Sequence, residues 1–225
     1  MSAPMNGFRY IHKAIRHELD ALEVLTDPRT ENGPELSGLA ERLSFLREVV
    51  KLHAAGEEEV LYPALDSRVP QVTRSYSLDH QFEESSFDTV AATLAGLQSA
   101  PQGAKPRELA LQLHRQMIGL NATLSLHIWK EEEQLLPLLD EHFSVAEQGA
   151  MAGQIVGHIP PEMMQPQLPW MLVALTADER EDLLRTVMGT VPPEPFRALG
   201  ARVKADLPRA DWAELTKRLP ELASV

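Results

Sequence analysis

The sequence lacks cysteine altogether: none of its 225 residues carries a thiol. Disulfides, iron-sulfur clusters, thiolate zinc sites and thiol-based redox sensing are therefore excluded. Basic residues are also few, since 21 Lys and Arg stand against 33 Asp and Glu, which gives a formal net charge of −12. Because no basic block offsets this charge, we expect neither nucleic acid nor an anionic membrane surface as the main partner.

Long hydrophobic runs are missing as well. The first residues, MSAPMNGFRYIHKAIRHELDAL, reach charged positions before any apolar run of signal-peptide or membrane-spanning length. We therefore expect a cytoplasmic protein. Hydrophobic residues make up 44% of the chain, which is enough for one domain with a sizeable core, with or without an appendage.

One sequence pattern occurs twice, 74 residues apart. The first copy, HAAGEEEVLYPALD, begins at His53, and the second, HIWKEEEQLLPLLD, begins at His127. Residues four apart lie one above the other on the same face of an α-helix. The pattern therefore pairs His53 with Glu57 and His127 with Glu131, one turn apart in each helix.

Apolar residues around both copies indicate which helix face is buried. They recur at alternating steps of three and four, as in a bundle helix, at Leu39, Leu43, Leu46, Val50 and Val60 and at Met117, Leu120, Leu124 and Leu138. A carboxylate in such a stripe needs a charge partner or a metal. A single pair is compatible with a buried ion pair, but two pairs in the same register indicate the carboxylate-bridged diiron or dimanganese sites of four-helix bundles.

Two further histidines are predicted to face the same core. In a first helix, from about residue 6 to 25, a helical wheel places His12 with the apolar residues and His17 on the opposite, solvated side. In a third helix, from 74 to 98, His80 lies on the apolar stripe. Glu84, one turn later, is either a surface carboxylate or an additional ligand.

The repeats themselves occupy a second helix, 35–65, and a fourth, 107–142. Pro63 and Pro137 follow the first glutamate of each repeat by six residues, where a missing amide donor is predicted to bend or end the helix. The remaining glutamates of each repeat point away from the inner face, and we expect them to form a solvated acidic face rather than to bind metal. For some of them, accepting a hydrogen bond from a histidine ligand is an alternative.

The predicted fold is all-α. Residues 6–142 form an up-down four-helix bundle, and residues 143–225 form a helical C-terminal appendage, packed on the bundle or on a partner. Frequent prolines divide this appendage into short helices, one of which begins with a capping box from Thr176 to Glu179. A lid on the bundle, a surface for a protein partner and a homodimer contact all remain open as its role.

The order of these residues resembles the hemerythrin, or HHE cation-binding, family, with ligands at His12, His53, Glu57, His80, His127 and Glu131. The segments YIHKAIRHELD, EEEVLYPALD, YSLDH and HIWKEEE are similar to the hemerythrin-like domains of plant iron-sensing ubiquitin ligases of the BRUTUS type. Those ligases also have RING and zinc-finger cysteines. Because this sequence has none, we expect no ligase activity by that route.

The resemblance implies a non-haem diiron site with two iron ions. Glu57 and Glu131 would bridge the irons, His12 with His53 would bind one, and His80 with His127 the other. Manganese or zinc remains an alternative. Oxygen-carrying hemerythrins have an additional histidine where this chain has Glu84, so either Glu84 completes the ligand set or one metal keeps an open position.

Two functions follow from the resemblance. The first is a protein that binds or senses O2, iron, peroxide or NO. The second is a diiron oxidoreductase, catalase-like or an oxidase or oxygenase, that turns over peroxide, NO or an organic substrate with O2. A helical interaction module with a vestigial site is a third reading of the same sequence.

Overall fold

The computed structural model describes residues 4–29, 36–99 and 106–224. Every regular element within these ranges is a helix, as the sequence predicts. The chain divides into two compact units, Ile15–Ser144 and Met1–Ala14 with Val145–Val225. The boundary near residue 14 falls inside the first helix, and the predicted domain division after residue 142 stays a prediction.

The unit Ile15–Ser144 is a helical bundle. Its helices are α1 (Asn6–Thr26, of which the second half lies in this unit), α2 (Leu39–Gly56), α3 (Tyr62–Arg68), α4 (Arg74–Gln98), α5 (Pro106–Lys130) and α6 (Leu136–His142). The predicted limits of α4 are confirmed. The predicted start of the second helix at Glu35 lies outside the described residues, and α2 begins after Gly38, whose φ of 67° is left-handed.

A π-helical turn joins each pair of helices that carries a repeat. Glu57–Leu61, here called π1, connects α2 to α3, and Glu131–Leu135, called π2, connects α5 to α6. The helices therefore continue beyond the prolines, and an end at these positions is not what the structure shows. In the wider π-helical turn, one residue is left out of the regular i to i+4 backbone hydrogen bonding. This residue comes just before the proline, which lacks an amide hydrogen.

The core of this unit is built from the predicted apolar stripes, except that Val60 and Leu138, which were predicted to lie on them, are only half-buried. α4 packs most extensively against α5, α2 packs against α4, and α3 against α6. Each stripe contributes fully buried side chains, among them Leu19, Leu22, Leu46, Leu65, Phe87, Leu113, Met117, Leu120 and Leu124. Burial on this scale stabilises the bundle by roughly 1.5 to 3 kcal/mol for each large side chain before entropic costs.

The second unit contains the C-terminal helices and the first half of α1. They are α7 (Val145–Gly157), α8 (Pro161–Ala174), α9 (Ala177–Thr190), α10 (Pro193–Asp206) and α11 (Arg209–Arg218), followed by a 3-10 helix (Pro220–Ser224). α8 packs against α10, and α9 against α11. The predicted capping box is confirmed, because Thr176 and Glu179 exchange side-chain to backbone hydrogen bonds at the start of α9.

Two polar contacts attach the first half of α1 to α9. The Tyr10 hydroxyl donates to Asp182 Oδ2 at 2.6 Å. The Lys13 ammonium group donates to both carboxylate oxygens of Glu179 at 2.7 Å. The residues before His12 and after it are thus bound to the C-terminal helices within this unit.

None of the helices in the described ranges has the length and apolar character needed to cross a bilayer.

Candidate metal centre

Glu57 and Glu131 are buried carboxylates at the beginning of π1 and π2. They are 1% and 2% exposed. Burial, followed by the negative charge of Glu131, raises the pKa of Glu57 well above its ordinary value. No N–H or O–H group of the described residues donates a hydrogen bond to either oxygen of Glu57. A buried carboxyl group in this situation needs a proton or a cation.

His80 and His127 bring their Nε2 atoms together beside these carboxylates. The two nitrogens are 3.1 Å apart. His127 Nε2 lies 3.1 Å from Glu131 Oε1, and His80 Nε2 lies 3.3 Å from Glu57 Oε2. His80, His127, Glu57 and Glu131 each offer one ligand atom within 4.8 Å of the others. The four predicted ligands from α4, α5 and the two π-helical turns therefore converge.

The other ring nitrogens of these histidines face carboxylates. His80 Nδ1 is 3.0 Å from Glu58 Oε1, and His127 Nδ1 is 3.3 Å from Asp79 Oδ2. A carboxylate accepts a hydrogen bond from Nδ1–H, which in a neutral imidazole leaves the lone pair on Nε2. Two such lone pairs point toward each other across 3.1 Å, an arrangement that a shared proton or a cation stabilises.

The pKa values of the two histidines move in opposite directions. Burial, and then the charge of His127, lowers the pKa of His80. Burial also opposes protonation of His127, but the hydrogen bond and charge of Glu131 and the charge of Glu83 outweigh it and raise the pKa of His127 to about 9. Without a metal, the proton between the rings therefore resides on His127.

A second group of predicted ligands overlaps the first. His53 Nε2 lies 3.4 Å from Glu57 Oε1, and His53, Glu57 and Glu131 also offer ligand atoms within 4.8 Å of one another. Glu57 and Glu131 thus belong to both groups, as expected for bridging carboxylates. The donor set of imidazoles and carboxylates fits iron, manganese or zinc.

His12 is fully buried on α1. It precedes Ile15 by three residues and Leu19 by seven, so all three share one face of a continuous helix. Ile15 and Leu19 belong to the bundle core. His17 is exposed, as the helical wheel predicts.

Tyr62 is a polar group at the centre that the sequence reading missed. It is 3% exposed, and its hydroxyl donates to Glu131 Oε1 at 3.0 Å and lies 3.4 Å from His80 Nε2. Its ring is nearly parallel to that of His80, with centroids 5.7 Å apart. Burial, and then the charges of Glu57 and Glu131, raise the pKa of Tyr62, so the phenol is neutral.

The π-helical turn explains why Tyr62 was missed. In an α-helix the fifth residue after Glu57 would be rotated by about 140° from it. In π1 the amide of Tyr62 bonds instead to the carbonyl of Glu57, five residues earlier, and this brings the two residues close to one face. The one sequence signal for this turn is the fixed spacing between a glutamate and a proline, which is the same in both repeats.

Glu83 is a second buried carboxyl that was missed. It is 2% exposed, and its Oε1 lies 3.8 Å from His127 Nδ1. Burial raises the pKa of Glu83 to about 7, against an opposing effect of the His127 charge. The sequence does contain a signal, because Glu83 follows His80 by three residues and precedes Phe87 by four, on the apolar stripe of α4.

Glu84, considered above as an additional ligand, lies elsewhere. Its carboxylate is 48% exposed and forms an ion pair with the Arg47 guanidinium on the bundle surface. Of the two sequence readings, the structure favours a surface carboxylate.

The middle glutamates of the repeats have different partners. Glu58 accepts hydrogen bonds from His80 Nδ1 and from the Ser77 hydroxyl. Glu132 instead pairs with both terminal nitrogens of Arg16 on α1, at 2.8 and 3.3 Å. The expected acceptor role for a histidine ligand is therefore seen at Glu58, whereas Glu132 connects α1 to π2.

Comparison with known proteins finds a family model and relatives that match this chain. The hemerythrin HHE cation binding domain model matches residues 4–150. Zinc finger protein BRUTUS of Arabidopsis thaliana is 34% identical over 193 residues, and two BRUTUS-like zinc finger proteins of the same plant are 33% and 31% identical over 197 and 199 residues.

Each of these matches covers 85% of this chain but only 15% of the relative. The chain therefore corresponds to a small part of each relative's length. A search of the solved structures finds no significant match. The family model and the relatives confirm the resemblance seen in the sequence, and this chain belongs to the hemerythrin HHE cation-binding family.

Proposed function

We propose that this chain binds two non-haem iron ions in the bundle and uses them to bind or sense O2, iron, peroxide or NO. The observation that carries the proposal is the overlap of two ligand groups at Glu57 and Glu131. His53, with His12 from α1, serves one metal. His80 and His127 serve the other.

The protein residues have distinct tasks in this proposal. Glu57 and Glu131 would hold both metals, and the burial of these carboxylates would strengthen their charge interaction with the cations. Glu58 and Asp79 hold the protons of His80 Nδ1 and His127 Nδ1. This fixes Nε2 as the ligand atom of each ring. Two iron ions that share carboxylates supply electrons to a small oxidant bound beside them.

The choice of iron follows from the resemblance to BRUTUS-type iron-sensing domains, because the donor set alone also accepts manganese or zinc.

An enzyme remains the alternative function, because a buried phenol beside a diiron site is a redox-capable side chain. A cytoplasmic location, small-molecule rather than nucleic-acid or membrane partners, and a protein contact or homodimer through residues 143–225 belong to the same proposal.

The test is metal content and visible absorption of protein reduced without oxygen and then exposed to air. Glu57→Gln removes a shared ligand with little change in shape. Glu59→Gln, an exposed glutamate of the same repeat, is the matched control. We expect two irons and a reversible oxygen-dependent band in the unmodified protein and the control, and neither in Glu57→Gln.

Irreversible oxidation with rapid consumption of added peroxide would support the oxidoreductase instead. Failure of the unmodified protein to retain iron, manganese or zinc through dialysis would contradict the metal centre itself. Equal metal content in both variants would show that Glu57 is not a ligand.

A further inference from the structure

The phenol oxygen of Tyr62 occupies a position among the candidate ligand atoms. Its distances are 3.0 Å to Glu131 Oε1 and 3.4 Å to His80 Nε2. The other neighbouring atoms of this group are separated by 3.1 Å, between His80 and His127 and between His127 and Glu131, and by 3.3 Å, between His80 and Glu57. The distances from the Tyr62 oxygen to its neighbours are therefore similar to the distances among the other candidate ligand atoms.

These separations are those of neighbouring ligands around one metal ion. Metal to nitrogen and metal to oxygen bonds of about 2.1 Å, set at right angles, place the ligand atoms about 3.0 Å apart. The phenol oxygen approaches both a carboxylate oxygen and an imidazole nitrogen of the candidate ligands, because the nearly parallel rings of Tyr62 and His80 bring their polar atoms together.

The two repeats differ at this position. Leu136 in the second copy corresponds to Tyr62 in the first, and it is a buried residue without a polar group. Because both repeats form the same π-helical turn, the fold presents this position to the core twice but supplies an oxygen once. The two repeats therefore differ in the side-chain oxygen that they offer to the core.

We propose that Tyr62 is a fifth protein ligand, joining Glu57, His80, His127 and Glu131 at one metal position. The inference rests on the metal centre proposed above. When the phenol oxygen binds the metal, its O–H bond breaks and the proton leaves to the solvent, and no electron is transferred. Five protein ligands would leave a six-coordinate ion one position for a small molecule.

Phenolate bound to ferric iron has an absorption that imidazole and carboxylate ligands do not produce. We expect the ferric protein to show a visible phenolate-to-iron charge-transfer band, and resonance Raman excitation within it to enhance phenolate ring vibrations. Tyr62→Phe should lose both signals while keeping bound iron, since the remaining ligands are unchanged.

Tyr76→Phe is the matched control. Tyr76 is also 3% exposed, and its ring lies against His127, but its hydroxyl donates to Gln134 Oε1 at 3.0 Å rather than to a candidate ligand. This variant should keep the band unchanged. Loss of the band in Tyr76→Phe with its retention in Tyr62→Phe would overturn the assignment.

Two further results separate this inference from the proposed function. Iron bound to the unmodified protein without phenolate vibrations would overturn the Tyr62 ligand alone. No bound iron would contradict the metal centre as a whole. If circular dichroism shows that Tyr62→Phe does not fold, the same Raman measurement is made on the unmodified protein labelled with ring-deuterated tyrosine. Raman bands that shift with the label support ligation by tyrosine, and unshifted bands contradict it.

Discussion

The Nε2 atoms of His80 and His127 lie 3.1 Å apart, while the Nδ1 atom of each ring faces a carboxylate. In the metal-free protein, a proton on His127 stabilises this arrangement, because its pKa is raised to about 9. A metal ion at the same place requires both Nε2 lone pairs. Protons and metal therefore compete for His127.

This competition predicts proton release on metal binding. At pH 7 the metal-free His127 is charged, so binding of zinc, used as a stable probe, should release its proton to the buffer. The apparent affinity should rise as pH increases toward about 9, by roughly tenfold per pH unit for each proton released.

Calorimetric titration in two buffers with different ionisation enthalpies measures the number of protons released on zinc binding. His17→Gln, at an exposed histidine, should release the same number, and zero release at pH 7 would contradict this account.

The shared carboxylates predict different metal losses for different ligands. His80→Ala removes an imidazole from one metal position and should leave about half of the bound iron. Glu131→Gln removes a carboxylate that belongs to both ligand groups and should abolish binding of both ions. Metal analysis after dialysis distinguishes these outcomes, with His17→Ala as the unaffected reference. Equal losses in His80→Ala and Glu131→Gln would indicate that the two positions fill only together.

The repeat, the apolar stripes and the family pattern were sufficient to predict the helical bundle and the low exposure of the candidate ligands, of which His12, Glu57, His127 and Glu131 are buried and His53 and His80 are half-buried. They succeed because a period of 3.6 residues relates sequence position to helix face. His12 illustrates this best, since a helical wheel alone separates it from His17. The structure shows the first buried and the second exposed.

The same rule fails where the helix departs from this period. Tyr62 reaches the centre only because π1 shifts the register before Pro63, and no regular wheel represents that shift. Glu83 was overlooked for another reason. Glu84 stands at the position of the additional histidine of oxygen-carrying hemerythrins, whereas the apolar stripe of α4 places the neighbouring Glu83 on the buried face. Here the physical pattern in the sequence was more informative than the family position.

The ion pair between Arg16 and Glu132 predicts a measurable coupling between α1 and π2. Both terminal nitrogens of Arg16 contact the carboxylate, and the Glu132 side chain is 14% exposed. Partial burial and two-point geometry should give a coupling energy of about 1 kcal/mol. A double-mutant cycle of Arg16→Gln and Glu132→Gln, followed by chemical denaturation, measures it. The more exposed pair of Arg197 and Glu194 should show no measurable coupling, and a similar value at both pairs would contradict the role of burial.

Glu83 predicts a loss of stability in the metal-free protein as pH rises. Its pKa is about 7 in the fold and 4.5 as the ordinary value. Between these values the unfolded chain releases a proton that the folded protein retains, so the free energy of unfolding decreases. The decrease begins near pH 4.5, is complete above about pH 7, and amounts to roughly 3 kcal/mol at most.

Glu83→Gln should abolish this part of the pH dependence, because an amide fills similar space without ionising. The variant should match the unmodified protein near pH 4.5 and exceed its stability at pH 8, as measured by denaturant unfolding with a chelator present. Glu84→Gln changes the neighbouring, exposed residue and should leave the pH profile nearly unchanged. His127 contributes separately: its raised pKa adds stability that is complete below pH 6.5 and lost as pH rises through about 9. A Glu83→Gln profile that still declines between pH 4.5 and 7 as steeply as the original would show that Glu57, not Glu83, dominates the titration of this core.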